Sequence, residues 1–460
     1  MKLERGVCAV VVAALLAAAV AGGCQREKRP SQANLLLIVI DTLRADHVGA
    51  YGYRLPTTPT LDDLAAHGVL FEQAVAQAPW TRPSMATLMT GLYPPTHGVT
   101  CKHFDVPEED CDVLPAGVTT LAEALSAAGY DSAGIVANIQ VDAVFGFDQG
   151  FDSYANVFDE LAASDPDWRK HWHEFEWVNE TTPEVTHRAL AWLQERSSKH
   201  PFFLYLHYLD PHEPYEPPAP YAAMFERSSY SSPYTEILAD LPRYDGEVRY
   251  VDEHVGMVLE RVRGLGLAED TMVVVTADHG EAFGEHGALD RRHGLTLYEN
   301  QLLVPLIMRV PGRRAAGVRV REQVRLLDLA PTVLDLLGVP IPAAMQGRSF
   351  APLIDGKHVL MPPGLAGWGY EPLLAYRSPP WKLIRNVRTG RTELYDLAAD
   401  PGEQVNRAAE QGQLLMMLSA EADEVLAAAK KAGEGIERGR GKVTLSPEQR
   451  RGLRALGYLD

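Results

Sequence analysis

Cysteine is scarce in this chain, long apolar runs are nearly absent, and basic residues are outnumbered by acidic ones. The 4 cysteines among 460 residues exclude a small disulfide-stapled scaffold. The one long apolar run, residues 7–23, excludes a polytopic membrane protein. A net charge of −18, from 43 Lys and Arg against 61 Asp and Glu, argues against a nucleic-acid-binding surface. Hydrophobic residues make up 46% of the chain, which is enough for a large core and excludes wholesale disorder.

Residues 1–23 are predicted to be an export signal. Lys2 and Arg5 precede the apolar run, which is short for a membrane span. The run ends in small residues before Cys24 and resembles a bacterial lipoprotein signal, in which this cysteine is acylated after cleavage. An ordinary cleaved signal and an uncleaved anchor are the alternatives. In each case the body is exported, to the periplasm or the outer face of a membrane, with residues 24–33 as a tether.

Cys101 and Cys111 remain as a pair in the exported body once Cys24 carries lipid. An even pair in an oxidising compartment predicts a disulfide that closes the acidic loop between them. The alternative is two unpaired thiols, because sequence gives no side-chain geometry.

Buried strands and helices alternate through residues 34–345, which we predict to form the main domain. The predicted strands lie at 35–40, 132–137, 202–209, 272–276 and 302–310, and the predicted helices at 121–129, 185–196 and 251–264. This βαβα order predicts an α/β fold with a mostly parallel sheet covered by helices.

The chain changes character from residue 346. Two strands at 381–387 and 393–397 flank a turn, and an amphipathic helix follows at 411–431. These elements predict a smaller C-terminal subdomain, 346–432, followed by a tail, 433–460.

Residues 155–180 form an insertion without a clean helical or strand period. Its aromatic residues are Phe158, Trp168, Trp172, Phe175 and Trp177. One interpretation is a lid over a substrate, and the other is a surface insertion that packs its aromatic side chains on the domain.

Three of the buried strands end in acidic residues, namely Asp41, Asp210, and Asp278 followed by His279. In open α/β sheets the active site lies at the carboxyl ends of the strands, so these residues predict a functional site at one edge. The alternative is that each is a turn residue, because Asp is common after strands.

Thr81 stands just before a helix that is predicted to begin near Pro83. A hydroxyl at a helix N-terminus meets unpaired N–H groups and the positive end of the helix dipole. That placement suits a nucleophile attacking an anionic ester, and the alternative is a plain N-cap.

Several motifs closely resemble the sulfatase family of the alkaline phosphatase superfamily. They are the segments 38–47, 81–91, 208–215, 276–281, 293–306 and 393–397, which follow one another in the family's order. The resemblance implies an alkaline-phosphatase-like α/β sandwich, with a large mostly parallel sheet and a short antiparallel sheet in the small subdomain.

The same resemblance implies a divalent-metal site. Its ligands would be Asp41, Asp278, His279 and the hydroxyl of Thr81. Calcium is implied by the sulfatase branch, whereas manganese or zinc is implied by the phosphoester branch, and the imidazole favours the latter.

Catalytic roles follow from the same alignment of motifs. Thr81 occupies the nucleophile position, and His212 matches a histidine that contacts the substrate or protonates the leaving group. His293 lies where the family has a basic residue on the transferred group. His207 and Asp210 are weaker candidates, for a second metal or for support behind the ligands.

The sequence departs from the sulfatase pattern at several of these positions. Thr81 stands where sulfatases carry a cysteine or serine that is oxidised to formylglycine. Met85 replaces an arginine, and Thr42 replaces the second acid of an Asp-Asp pair. A lysine and a histidine of the next βα segment have no clear match unless Asn138 serves, and Arg82 is the candidate for the missing positive charge.

Three functional hypotheses follow. The first is a metal-dependent phosphodiesterase or phosphotransferase with Thr81 as nucleophile, which the departures favour. The second is an arylsulfatase-like sulfuric ester hydrolase with an unconventional nucleophile, and the third is a catalytically silent binding protein of the same fold. The expected partners are an ester of a small molecule, glycan or lipid head group, and a membrane through lipid on Cys24, but no nucleic acid.

Overall fold

The computed structural model describes most of the chain. Its helices pack around a central sheet. The described residues are 33–100, 112–158, 181–196, 199–232, 234, 237–287, 290–313, 317–437, 439–440, 445–446 and 449. The helices are α1 Pro59–Ala66, α2 Thr81–Thr90, α3 Pro94–His97, α4 Leu121–Ala127, α5 Thr181–Glu195, α6 Ile237–Gly264, α7 Glu299–Leu302, α8 Leu329–Leu337, α9 Ala351–Ile354 and α10 Gly412–Ala432.

The strands are numbered in the same way. They are β1 Asn34–Ile40, β2 Val69–Val75, β3 Asp112–Val113, β4 Asp131–Val136, β5 Ser153–Asn156, β6 Phe202–Tyr208, β7 Thr271–Thr276, β8 Ala282–Phe283, β9 Arg291–Arg292, β10 Leu303–Val304, β11 Leu306–Arg309, β12 Val318–Arg325, β13 Gly364–Gly367, β14 Leu373–Ser378, β15 Trp381–Asn386, β16 Thr392–Asp396 and β17 Gly439–Arg440.

Nine of the described strands form the central sheet, and β1 lies in its middle. β1 pairs in parallel with β7 on one side and with β6 on the other, and β4 and β5 continue the parallel arrangement beyond β6. All seven residues of β1 are buried, as are those of β6 and β7. The mostly parallel α/β sheet that the apolar runs predict is therefore confirmed.

The other half of the sheet differs from the sequence prediction. The run 302–310 is not one strand, because Pro305 interrupts it between β10 and β11, and both pieces are antiparallel to β2. The sequence analysis missed β2 and also missed β12, which pairs with β2 in parallel at the sheet edge. Charged residues alternate along β12, so it lacks the continuous apolar pattern of a central strand.

Two helices begin earlier than predicted. α5 begins at Thr181, just before the Thr182-Pro183 pair that the sequence places at the opening of this helix, and α6 begins at Ile237 rather than 251. The added part of α6 contains Pro242 and buries the polar side chains of Asp245 and Glu247. This region therefore lacks the amphipathic pattern from which a helix is predicted.

A second, antiparallel sheet of four strands, β13 to β16, confirms the predicted short sheet near the C-terminus. Leu383 and Leu394 of this sheet share a small core with Leu418 and Ala422 of α10. The boundary at residue 346 stays a prediction, since Phe350 still packs on Phe71 of the central sheet, with ring centroids 4.8 Å apart.

Several predictions lie outside the described residues. They are the signal at 1–23, Cys24 and nearly all of the tether, the Cys101–Cys111 pair, residues 159–180 of the aromatic insertion, and most of the tail. Phe158 is described, and its side chain is buried in the main core. Among the described helices, none combines the length and apolar character that a membrane crossing requires.

Candidate active site

The carboxyl ends of β1 and β7 bring Asp41, Asp278 and His279 together. The two strands are neighbours in parallel register, so the residues that follow them emerge at the same edge of the sheet. Thr81, the first residue of α2, faces this edge. Nε2 of His279 lies 3.3 Å from Thr81 Oγ1, 3.3 Å from Asp278 Oδ2 and 3.6 Å from Asp41 Oδ1. The four predicted ligands are all fully buried.

The tautomer of His279 follows from its second nitrogen. Nδ1 lies 2.9 Å from the carbonyl oxygen of Gly280, which can only accept, so Nδ1 donates its hydrogen there. Burial lowers the pKa of His279 and favours the neutral ring. The Nε2 lone pair is then directed at the hydroxyl and carboxylate oxygens.

The two carboxyl groups have opposite pKa shifts. Burial, together with the charge of Asp41, raises the pKa of Asp278 to about 7. Burial also opposes the ionisation of Asp41, but its contact with His207 and the nearby imidazoles outweigh burial and hold its pKa well below the usual range. Two buried acids that repel one another are typical of a site that receives a cation.

Unpartnered oxygens mark where such a cation fits. Asp41 Oδ1 and Asp278 Oδ2 are buried and have no hydrogen-bond partner, and they are the same oxygens that lie nearest His279 Nε2. Buried polar atoms are normally satisfied, so these two indicate an ion. Two carboxylates, an imidazole and a hydroxyl form a donor set that suits a divalent metal. We call Asp41, Asp278, His279 and Thr81 together the metal centre, meaning the candidate site for such a cation.

Two further histidines flank the metal centre. The ring centroids of His212 and His293 are 4.8 Å apart, and those of His293 and His279 are 4.6 Å apart. Nδ1 of His212 donates to the carbonyl oxygen of Glu213 at 2.6 Å, and Nδ1 of His293 lies 3.3 Å from both carboxylate oxygens of Glu281. The structure thus brings both predicted histidines to the site.

Glu281 is a functional candidate that the sequence analysis did not single out. Its carboxyl group is fully buried, and burial raises its pKa to about 7 against the opposing charges of His212 and His279. It anchors the ring of His293, which is 12 residues away. The signal was its place directly after Asp278-His279-Gly280 in the resembling motif.

The helix that carries Thr81 begins two residues earlier than predicted. α2 starts at Thr81 itself, and Trp80 is the N-cap residue, so Thr81 is not the N-cap. Its first N–H groups have no partners within the helix, which leaves them available near the hydroxyl. Ser84 donates to the backbone oxygen of Asp278 at 2.6 Å and holds the helix against the metal centre.

The residues at or near the departures from the sulfatase pattern lie in different surroundings. Met85 is fully buried in the main core. Arg82 stacks on the ring of Phe145 at 3.6 Å and donates to Gln140, so the partners of its guanidinium are an aromatic ring and a neutral amide. Asn138 donates to Asp41 Oδ2 at 2.5 Å.

His207 and Asp210, the two weaker candidates, have different partners in the structure, and only His207 contacts Asp41. Nε2 of His207 lies 3.3 Å from Asp41 Oδ2, and Asp41, His207 and Asp278 offer ligand atoms within 4.8 Å of one another. Asp210 instead accepts a hydrogen bond from Thr182 at 2.5 Å. Burial, together with the charge of Asp210, raises the pKa of the nearby Glu247 well above its usual range.

Buried carboxylates and an imidazole at the end of a parallel sheet, with a hydroxyl at a helix N-terminus beside them, are typical of ester hydrolases of the alkaline phosphatase type. The family model described as Sulfatase matches residues 33–339, which is more than half of the chain. The chain therefore belongs to the sulfatase family.

Individual relatives support this assignment. An "Ulvan-active sulfatase" of Formosa agariphila is 27% identical over 414 residues, which cover 83% of this chain and 78% of that protein. The "Multifunctional alkaline phosphatase superfamily protein PehA" of Trinickia caryophylli is 26% identical over 70% of this chain and 77% of its own length. The structure of a phosphonate monoester hydrolase of Agrobacterium radiobacter shares the fold, with a TM-score of 0.71, 22% identity, and coverage of 87% and 96%.

Proposed function

We propose that this chain is a metal-dependent phosphodiesterase or phosphotransferase in which Thr81 is the nucleophile. The observation that carries the proposal is the position of the Thr81 hydroxyl, 3.3 Å from His279 Nε2 and at the start of α2. A bound divalent cation would supply Lewis acidity that lowers the pKa of this hydroxyl and polarises an ester oxygen. Asp41, Asp278, His279 and Thr81 would hold it.

The charge of the site favours a substrate with a single negative charge. Two carboxylates balance a divalent cation, and burial keeps His279, His212 and His293 neutral by lowering their pKa values, to about 4 for His293. A phosphodiester carries one negative charge near neutral pH, whereas a phosphate monoester carries nearly two.

Two arginines of this region are paired with acids, whereas Arg82 contacts the uncharged side chains of Phe145 and Gln140. Arg44 pairs with Asp46 and Glu285, and Arg292 pairs with Glu213. Their charges are therefore countered within the protein, so they add little attraction for a second negative charge on the substrate.

The residues of the chain can then be assigned to steps. Thr81 Oγ1 attacks phosphorus in line, Nε2 of the neutral His212 ring takes its proton, and the bond between phosphorus and the leaving oxygen breaks. His212, which is held by Glu213, returns the proton to the departing alcohol. Water, or an acceptor alcohol in a phosphotransferase, attacks the threonine phosphodiester in a second displacement. Its proton passes through the same imidazole to Thr81 Oγ1, which leaves phosphorus as the free hydroxyl.

Sulfate ester hydrolysis is the second candidate, since a sulfate monoester also carries one negative charge. The names of relatives such as the Ulvan-active sulfatase support it. The hydroxyl of Thr81 opposes it, because the family's sulfatases use formylglycine at this position. A phosphonate monoester, named for the structural neighbour, has the same charge and fits the proposed chemistry.

The cellular setting is part of the same proposal. Lipid on Cys24 would hold the exported enzyme at a membrane, where glycan and lipid-head-group esters are accessible. The imidazole among the ligands favours manganese or zinc over calcium.

The test compares substrates and variants directly. Purified protein is incubated with bis-p-nitrophenyl phosphate or p-nitrophenyl sulfate, each with manganese, zinc or calcium. We expect diester cleavage, retention of activity in Thr81→Ser, and a fall of about 10³-fold or more in Thr81→Ala. Cleavage of sulfate alone would favour the second candidate, and full diester activity in Thr81→Ala would overturn the role of Thr81.

A further inference from the structure

The two oxygens of Asp41 have different surroundings. Oδ1 is the unpartnered oxygen that lies 3.6 Å from His279 Nε2, inside the metal centre. Oδ2 receives the amide of Asn138 at 2.5 Å and lies 3.3 Å from His207 Nε2. One oxygen is therefore left open for a cation, while the protein holds the other.

The orientation of Asn138 is fixed by its own backbone turn. Its Oδ1 accepts a hydrogen bond from the N–H of Gln140 at 2.8 Å, so its Nδ2 is the atom that faces Asp41. The amide therefore acts as a donor to the carboxylate and does not present an oxygen to the metal centre.

His207 is held from behind by Tyr205. Both residues lie on one face of β6, two positions apart, and Nδ1 of His207 is 2.8 Å from the Tyr205 hydroxyl. When that hydroxyl donates to Nδ1, the ring carries its hydrogen on Nε2 and donates it to Asp41 Oδ2. All three side chains are fully buried, so water does not compete for these contacts.

We propose that His207 is a positioning residue, which orients Asp41 so that Oδ1 points to the cation. The inference rests on the metal centre of the proposed function and adds residues that act behind it. Hydrogen bonds to the far oxygen of a metal-binding carboxylate limit its rotation and fix its ligand geometry. Tyr205 contributes by selecting the tautomer that places the hydrogen on Nε2.

The rival role is direct coordination by His207, in place of the carboxylate that Thr42 lacks. The closeness of Asp41, His207 and Asp278 is compatible with that role. Against it, the contact of His207 is to Oδ2, which already accepts from Asn138, whereas the unpartnered oxygens lie beside His279. A ligand nitrogen must also be free of hydrogen, whereas the contact of Nε2 with the carboxylate oxygen Asp41 Oδ2, which can only accept, favours a hydrogen on Nε2.

The experiment measures zinc and manganese affinity in the full chain by competition with a chelator. His207→Gln keeps an N–H near the position of Nε2, while His207→Leu removes it. We expect near wild-type affinity in the Gln variant and a loss of about 10- to 100-fold in the Leu variant. His97→Gln is the matched control, because His97 is equally buried but contacts Thr87 and Val99 instead.

Tyr205→Phe tests the hydroxyl behind the imidazole. We expect weaker metal binding than in Tyr208→Phe, since the hydroxyl of Tyr208 is equally buried but contacts Thr186. X-ray absorption of the zinc-loaded wild type should show one imidazole per metal, and the same number in His207→Gln.

The outcomes separate this inference from the proposed function. Two imidazoles in the wild type, or a Gln variant as weak as the Leu variant, would overturn the positioning role and leave the metal centre intact. Wild-type affinity in His207→Leu would overturn it as well. Failure of the wild-type protein to bind either metal would overturn the metal centre itself, and the positioning role with it.

Discussion

Two buried charged clusters in this molecule are built in opposite ways. The metal centre places Asp41 and Asp278 close together, with one unpartnered oxygen on each. The second cluster joins the small sheet to α7: Lys382 contacts Glu299 at 2.9 Å and Glu403 at 2.8 Å, and Arg377 contacts Glu299 at 2.9 Å. We call this second group the hinge network.

The contrast distinguishes a binding site from a structural joint. In the hinge network the acids face the cations of their own chain, so the cluster needs no external ion. In the metal centre two carboxylates face each other. Their repulsion lowers the stability of the fold, and a bound cation would relieve it. Gln301 of α7 links the two, because it accepts hydrogen bonds from the N–H groups of Gly280 and Gly294, beside the site histidines.

Removing a ligand should have the largest effect on activity. We expect Asp278→Asn to lower kcat/KM for a diester by about 10³-fold or more, equivalent to about 4 kcal/mol, because a ligand charge is lost. Metal content measured after dialysis should fall in parallel. Asp423→Asn, which removes an exposed partner of Arg385, is the control and should leave activity unchanged. Full activity in Asp278→Asn would mean that the metal centre is misplaced.

Breaking the hinge network should instead reduce stability. Lys382 is fully buried, so Lys382→Met leaves Glu299 and Glu403 without their shared cation. We expect the free energy of unfolding to fall by about 3–5 kcal/mol, measured in urea. Lys430→Met, at an exposed position of α10, is the matched control. A loss as small as in the control would show that this network does not stabilise the joint.

Acid should weaken the hinge network through Glu299. Burial opposes ionisation, but Arg377 and Lys382 outweigh burial and hold the pKa of Glu299 at about 2, against an ordinary 4.5. Because the folded pKa is the lower one, the stabilisation is complete above about pH 4.5 and is lost as the pH falls towards 2. We expect about 3 kcal/mol of pH-dependent stability in this window in the wild type.

The control for this titration is a pair of variants. Glu299→Gln should flatten the stability profile between about pH 4.5 and 2, because the group that titrates is gone. Glu424→Gln, an exposed change on α10, should keep the wild-type profile. An unchanged slope in Glu299→Gln would assign the acid sensitivity to other carboxyl groups.

The sequence predicts the metal centre better than the hinge network. Apolar runs identify β1 and β7, and parallel pairing then places Asp41 beside Asp278 without any knowledge of side-chain contacts. Lys382 and Glu299 are 83 residues apart on elements with no strong pattern, so nothing local indicates their contact.

The orientations of the site's side chains also could not be predicted from the sequence. The sequence offers Arg82 for the missing positive charge without fixing its direction, and its contacts with Phe145 and Gln140 follow only from the packed structure. His207 is a polar residue in an apolar strand, which marks it as unusual. Which of the nearby acids His207 contacts can be determined only from the packed structure.

The smallest expected effect comes from backbone strain. One non-glycine residue in the left-handed region follows Asp41 of the metal centre, and another belongs to the hinge network. These are Thr42, with φ 55°, and Glu403, with φ 53°. Glycine adopts this conformation without strain, so we expect Thr42→Gly to raise the free energy of unfolding by about 1 kcal/mol. Glu403→Gly relieves similar strain but removes a partner of Lys382, and it should destabilise the protein. Thr42→Ala keeps the strained Cβ but loses the buried, unpartnered hydroxyl, so the difference between the Gly and Ala variants measures the backbone strain alone. Stabilisation of both glycine variants would mean that the Glu403 contact adds little, and that the two clusters differ less than their geometry indicates.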